Sequence, residues 1–357
     1  HPCERAEGKA HLIERIEQRL LVFLVVAVVA EREPLHRGEE ASEITDEVTT
    51  GLANLRDHAV ISRAATLALH EVGSTPPEAG RRLKADYVVS GDICFRSGKT
   101  VLNVELCDST DNRIISRETY EAPGRGSKRG LSSLADRIVA NVANSIEAHE
   151  CRRALCQPSE TLDARALYHL GLWHLYRFNR DDNEKARRCF TRAVMMDQTL
   201  ARGFSGLSFT YFQDAFQGWT EPSAALADAG ATASQALRAD QRDPSGHWAM
   251  GRALWLGGES ATALDVLSAT LKMSPGFVPA RYMLAFINSQ SGDPELAIRF
   301  ADEARQLSPY DPLLFGFLGA RAIALARLGQ FGAEAGDFVS SLVKQINRWE
   351  LAVYQRC

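Results

Sequence analysis

The sequence reads as a small α/β domain followed by an all-α solenoid of tandem helical hairpins. Three observations carry that reading. Strand signals crowd the first half, above all between Tyr87 and Glu121. From about Thr161 onward they vanish, and Ala, Leu, Arg and Gly dominate. In that second half Gly, Ala and Pro recur at a fixed interval of 34 residues, and a fixed interval is the mark of a repeat architecture. A chain of 357 residues suits about two domains at roughly 150 residues each. The division is expected between 1–156 and 157–357.

The first half opens on an unbroken apolar run, Leu20–Ala30, of eleven residues. A membrane-spanning helix needs about 20. The run is rich in β-branched valine and suits a buried central strand. The alternative is a signal or anchor segment over residues 11–30, with Val28 and Ala30 at its cleavage site; Glu14 and Glu17 before the run weaken it. Next, Ile44, Val48, Leu52 and Leu55 recur at four, four and three residues and share one helix face, with Ser42 as a candidate N-cap. Ala59–Ser62 is a short β segment. Pro76, Pro77 and Gly80 are expected to break the chain before a short helix ending near Leu83. Tyr87–Phe95, Val101–Cys107 and Arg113–Glu121 form a three-stranded meander with short turns. In its middle strand Val101, Asn103, Glu105 and Cys107 face one way, and Leu102, Val104 and Leu106 the other. A linker, 124–130, leads to a long helix whose stripe is Leu134, Ile138, Val142 and Ile146.

Ser97-Gly98-Lys99-Thr100 ends like a phosphate-binding loop, but Ile93 stands where that loop needs Gly, and the segment joins two strands instead of opening a helix. It is expected to be a hairpin turn. The order of elements resembles the TolB-like N-terminal domain of bacterial signalling proteins. The resemblance rests on residues 25–30 (VVAVVA), 43–55 (EITDEVTTGLANL), 60–63 (VISR) and above all 83–121, with its Ala85-Asp86-Tyr87 strand entry. It departs from the family at the end of the first strand, where Ala30-Glu31 replaces the usual Pro-Phe. These are turn and core features, so what they imply is a fold.

In the second half, Pro275 and Pro309 stand 34 residues apart, as do Gly258 and Gly292, Ala263 and Ala297, and Trp248 and Tyr282. A two-helix unit of that length accounts for each choice. Gly251 and Ala263, then Ala285 and Ala297, are small where the helices cross. Gly258 and Gly292 sit in the turn, where positive φ is expected. Pro275 and Pro309 stop the second helix. A lone hairpin cannot bury both faces, so neighbours stack. The pattern resembles the tetratricopeptide repeat. Clear units run 244–277 and 278–311, and weaker ones 165–200 (lengthened turn) and 201–243 (insertion at 216–222). A fifth starts at Pro312 and loses its pattern after about Phe338.

Composition narrows the function. Hydrophobic residues are 45% and charged residues 24%, a globular balance. Net charge is −4 with pI near 6.2, so nucleic acid is not an expected partner. Seven cysteines at irregular spacings, without a C-x-x-C, suggest reduced and mostly buried thiols rather than disulfides or zinc. None of the nine histidines forms an i, i+4 pair; His169 and His174 splay around a helix, and Asp181-Asp182 falls at a turn, where solvated carboxylates are ordinary. No catalytic constellation, cofactor site or metal site emerges. The chain starts at His1 without a methionine, as an excised part of something longer would.

A TolB-like domain followed by tetratricopeptide repeats resembles the C-terminal regulatory part of class III adenylate or guanylate cyclases, or of transcriptional regulators with an OmpR-type winged helix. The resemblance implies a cytoplasmic, non-catalytic module for protein–protein interaction in bacterial signal transduction. The rival is a periplasmic or membrane-anchored adaptor. The repeat register puts Trp248, Arg252 and Trp255 on one helix face and Tyr282, Phe286 and Ser289 on the next. These six are expected to line a partner-binding groove for a protein or peptide, because aromatic rings and arginine dominate interface energies. The alternative is that Trp248 and Phe286 pack against each other between helices.

Overall fold

The structure, a computed structural model, describes residues 23–28, 38–56, 59–62, 65–66, 75–123 and 128–330. The possible cleavage site at Ala30, the Ala30-Glu31 departure, Cys3, Cys357 and the decay of the repeat after Phe338 lie outside these. The chain divides into two compact units, one of residues 1–53 and 57–127 and one of residues 54–56 and 128–357.

The first unit holds one five-stranded sheet in the order β2-β1-β3-β4-β5. β1 (Phe23–Val28) lies between β2 (Ala59–Val60) and β3 (Tyr87–Arg96), parallel to both. The apolar run thus supplies an interior strand. β3, β4 (Lys99–Asp108) and β5 (Ile114–Pro123) form the expected antiparallel meander. Ser97 (φ 50°) and Gly98 (φ 78°) join β3 to β4. Two consecutive positive φ angles suit the twist of a two-residue hairpin, and that accounts for the Ser-Gly-Lys-Thr motif. Leu102, Val104 and Leu106 are buried as the alternation requires. Cys107 is buried with them, against expectation, because a register shift between Leu106 and Cys107 breaks the alternation.

Helix α1 (Gly38–Leu55) buries Ile44, Val48, Leu52 and Leu55, the face the spacing identified. It starts before Ser42, so that residue is inside the helix rather than its cap. Helix α2 (Pro76–Leu83) corrects a second boundary. Pro76 and Pro77 do not precede the helix but begin it, since proline's missing N–H costs nothing in the first turn. Glu78 Oε2 accepts from the Thr75 N–H at 2.9 Å and fastens that end. Gly80 lies within the helix, where a Cβ would come within 2.7 Å of the Val88 side chain.

The second unit begins earlier than the sequence suggested. Helix α3 (Lys128–Leu155) carries the stripe Leu134, Ile138, Val142 and Ile146, all buried. It groups with the helical half, not with the sheet. An amphipathic stripe says that a face is covered, not by what.

Four hairpins follow: α4 (Ala164–Leu175) with α5 (Arg180–Met196), α6 (Ala201–Phe216) with α7 (Pro222–Ala239), α8 (Pro244–Leu256) with α9 (Ser260–Met273), and α10 (Val278–Gln290) with α11 (Pro294–Leu307). Helix α12 (Leu314–Arg327) begins a fifth unit. Ala263, Ala285 and Ala297 are wholly buried at the crossings, and a Cβ on Gly251 would sit 2.8 Å from the Leu267 side chain. Helices α9 and α11 end just before Pro275 and Pro309. Gly258 has the expected positive φ of 86°. Gly292 does not. It is glycine because a Cβ there would meet Asn288 Oδ1 at 2.5 Å. The same repeat position thus holds glycine for two different reasons.

Helix α3 packs along this array from its first hairpin to its fourth. Cys151 Sγ donates to the His169 carbonyl at 3.2 Å, and Tyr176 Oη donates to Glu147 at 3.2 Å. Val139 lies against Gly276, and the Asn144 amide donates to Ser308 Oγ. The array curves enough that Phe178, after α4, meets Phe315 at the start of α12, ring centres 4.8 Å apart. Among the described cysteines, Cys107 and Cys151 are buried, Cys94 and Cys189 half-buried and Cys156 exposed, and none is bonded to another.

Candidate functional site on the first helices of the hairpins

The site is built on α6, α8, α10 and α12. On α6, Phe209, Phe212 and Phe216 recur at three and four residues and share a face. On α8 the same spacing aligns Trp248, Arg252 and Trp255, and on α10 it aligns Tyr282, Phe286 and Ser289. Stacking the hairpins brings these faces together as one continuous run of rings. Trp248 meets Phe209 at 5.3 Å and Phe277 at 6.3 Å. Phe209 leads to Phe212 (5.9 Å) and Phe212 to Phe216, stacked at 5.5 Å. Trp255 meets Phe216 at 6.0 Å and Phe286 at 4.9 Å. Phe286 leads to Tyr282 (6.2 Å) and Tyr282 to Phe317 (5.3 Å). Most of these pairs are edge-on or tilted, the arrangement that ring quadrupoles favour.

Five of the six expected groove residues therefore belong to one cluster, but three of the six are not available to a partner. Trp248 is 8% exposed, Arg252 2% and Ser289 0%. The Ser289 hydroxyl donates to the Phe286 carbonyl of its own helix at 2.7 Å. Trp248 and Phe286 are not packed on each other either; each touches different rings. The physical reason is curvature: inner-face side chains meet across the array and become core. Trp255, Tyr282 and Phe286 remain half-buried, and Phe216 is 46% exposed. The accessible part of the site is this edge.

At the buried end lies Arg252. Its guanidinium carbon is 3.7 Å from the Trp248 ring centre and 4.0 Å from that of Phe209. Nη2 donates to the Ser205 carbonyl at 3.3 Å, while Nε and Nη1 have no acceptor. Burial pushes its pKa down to about 9, against upward pulls from the Tyr176 and Tyr282 hydroxyls. Burial also raises Tyr282, to about 12. Asp311, buried close to both tyrosines, is raised to about 6 by desolvation, although Leu313 N–H, Ser308 and Asn144 donate to it.

Two other sites differ from expectation. Asp182 is not a solvated turn carboxylate. It is buried at the start of α5, 2.7 Å from His174 Nδ1 and bonded to Asn179 Nδ2 at 2.8 Å. Burial lowers the His174 pKa, with Asp182 opposing. The phenylalanines of α6 were missed because the insertion at 216–222 breaks the 34-residue register; their own spacing was the available signal.

Residues 35–141 match the family model described as the second domain of HilA/YgeH-like transcriptional regulators, which covers well under half of the chain. A search of curated proteins finds no match. Three similar solved structures are TolB from Acinetobacter baumannii, YrrB and human IFIT1. TolB is 11% identical with TM-score 0.25, over 35% of this chain and 27% of its own. YrrB, a tetratricopeptide protein with an unusual peptide-binding site, is 14% identical with TM-score 0.30, over 54% and 91%. IFIT1, a dimer with m7Gppp-AAAA, is 14% identical with TM-score 0.38, over 61% and 49%. The chain thus spans about a quarter of the TolB structure and half of IFIT1. Over residues 35–141 this chain is similar to the second domain of a HilA/YgeH-like transcriptional regulator.

Proposed function

We propose that this chain is a regulatory and scaffolding module that works through protein–protein contact, as the effector part of a transcriptional regulator in the bacterial cytoplasm. The observation that carries the reading is the match of residues 35–141 to a domain of such regulators. The tandem hairpins that follow support it, because stacked repeats present extended surface to partners. The TolB-like resemblance fits either parent, and the family match over residues 35–141 favours the transcriptional regulator. On this reading the chain acts by binding, without cofactor, metal or catalysis. Net charge −4 gives it no electrostatic reason to hold DNA itself. Partner contact falls to the half-exposed ring edge, Trp255 and Phe286 with Phe216, and not to the buried Trp248, Arg252 and Ser289. Among the described residues no helix is long and apolar enough to cross a membrane.

The test is a fusion. Joined to a DNA-binding domain with no effector activity of its own, the chain is expected to change transcription from a promoter carrying that domain's site several-fold. The purified chain is expected to leave duplex DNA unshifted and ATP unconverted, with or without Lys99→Ala. A folded fusion that leaves the reporter at the level of the DNA-binding domain alone would overturn the regulator reading. Formation of a cyclic nucleotide would put the cyclase in its place.

A further inference from the structure

The sheet of the first unit has two edges, and the sequence treats them differently. At one edge β2 is two residues long. So short a strand offers too few N–H and C=O groups to template another. At the other edge β5 runs ten residues, Ile114–Pro123, and among the described residues only β4 pairs with it. Its irregularity lies at the start, where the register shifts, so the ladder from Ser116 to Ala122 is regular. Tyr120 and Ala122 point to the buried face of the sheet. Arg117, Thr119 and Glu121 point to the other and are exposed. Each is tied to β4 on its inner side. Arg117 donates to Glu105, Thr119 Oγ1 donates to Asn103 Oδ1 at 2.8 Å, and Lys99 Nζ lies 2.8 Å from Glu121. Asn103 Nδ2 in turn donates to Asp92 at 3.0 Å. The Arg117 and Glu121 side chains are still 68% and 52% exposed, which leaves both open to a further strand. A row of one sign along this edge would repel a second copy. This row runs positive, neutral, negative, with Thr119 at its middle.

We propose that β5 is a self-pairing edge: two copies of this chain join antiparallel, β5 against β5, about a two-fold axis through Thr119. The axis stands perpendicular to the sheet and leaves every side chain on its own face. Opposed residues must therefore be an even number of positions apart, and the axis passes through a residue. An axis at Arg117 sets two arginines together, and one at Glu118 sets two glutamates together. Axes farther toward either end shorten the ladder. An axis at Thr119 pairs Ile115 to Pro123 with the same stretch of the second copy. Arg117 then stands opposite Glu121 of the second copy, twice over, and Glu118 opposite Tyr120. Charges alternate across the junction: Glu105, Arg117, then Glu121 and Lys99 of the second copy. Exposed pairs of this kind each add little energy. What they decide is the register, while the backbone hydrogen bonds of the new ladder hold the copies together. The contact is isologous, so it closes at two copies and does not grow into a fibre.

The test uses the full chain. Sedimentation of the wild type is expected to show a monomer–dimer equilibrium. Arg117→Glu and Glu121→Arg each turn both cross-strand pairs into like-charge pairs. Each is expected to weaken the dimer at least about tenfold. Mixed in equal amounts, the two variants regain opposite charges at both pairs and are expected to associate as the wild type does. Should either fail to fold, cysteines at the edge decide. Thr119→Cys sets two thiols opposite each other within disulfide reach, whereas Glu121→Cys leaves them about 13 Å apart along the strands. Under a mild copper oxidant, which takes two electrons from each thiol pair as both protons leave, Thr119→Cys is expected to give a covalent dimer. The wild type with its native cysteines and Glu121→Cys are expected not to. The proposal is overturned if the wild type stays monomeric up to millimolar concentration, if mixing the charge variants yields no more dimer than either alone, or if Glu121→Cys cross-links as readily as Thr119→Cys.

Discussion

Asp311 shows what burial does to a single group in this fold. Desolvation holds its pKa near 6 against an ordinary 3.8. The folded state therefore keeps a proton that the unfolded chain has already lost between those values. The sign follows: Asp311's contribution is most favourable below about pH 4 and is lost as pH rises through about 6. Asp311→Asn keeps an oxygen for the Leu313 N–H, which it accepts at 2.8 Å. The variant is expected to melt higher than the wild type at neutral pH, with the difference shrinking toward pH 4. Melting curves across that interval check it; a constant difference would mean the carboxyl is not perturbed. A second contrast separates core from edge within one helix. Trp248→Ala is expected to cost about 3–5 kcal/mol, as for a large aromatic removed from a packed core. Trp255→Ala, half-exposed, is expected to cost distinctly less. Equal losses in chemical denaturation would contradict the placement of Trp248 inside.

At the scale of the element, the hairpins rest on small residues at fixed places. Ala263 and Ala297 are wholly buried where α8 crosses α9 and α10 crosses α11. Ala263→Leu and Ala297→Leu are each expected to lose about 1–3 kcal/mol by overpacking. Unchanged melting of both would argue against this register. These positions were legible in the sequence because Gly, Ala and Pro each have a narrow physical role, and three such roles recurring together leave little freedom of register. The meander was legible for a similar reason, since period-2 alternation and a Ser-Gly turn point the same way. What the pattern did not carry was the partner of each face. Arg252 and Ser289 share a face with half-exposed rings, yet only packing across four helices puts them out of reach of solvent. Cys107 escaped the alternation through a bulge, and Gly292 has its reason in Asn288 rather than in φ.

For the whole molecule, the least legible feature was the place of the long helix. Its stripe of Leu134, Ile138, Val142 and Ile146 fits a sheet or a helical array equally well, so the sequence suggested a boundary at 156. Packing puts it at 127/128. The solenoid is then not a string of hairpins after a linker but an array with α3 laid along it, touching α4 through Cys151 and Glu147 and the fourth hairpin through Asn144. This also bears on the groove: with the array curved until Phe178 meets Phe315, its inner face is core at Trp248 and open only at the Phe216 edge. The most direct measurement compares the thermal unfolding, by circular dichroism, of two fragments, 128–330 and 157–330. The longer is expected to melt in one cooperative transition, and the shorter, stripped of α3, to melt far lower or to lack a transition. If 157–330 unfolds as cooperatively and at the same temperature as 128–330, α3 is not part of the helical unit and this account of the second half is wrong.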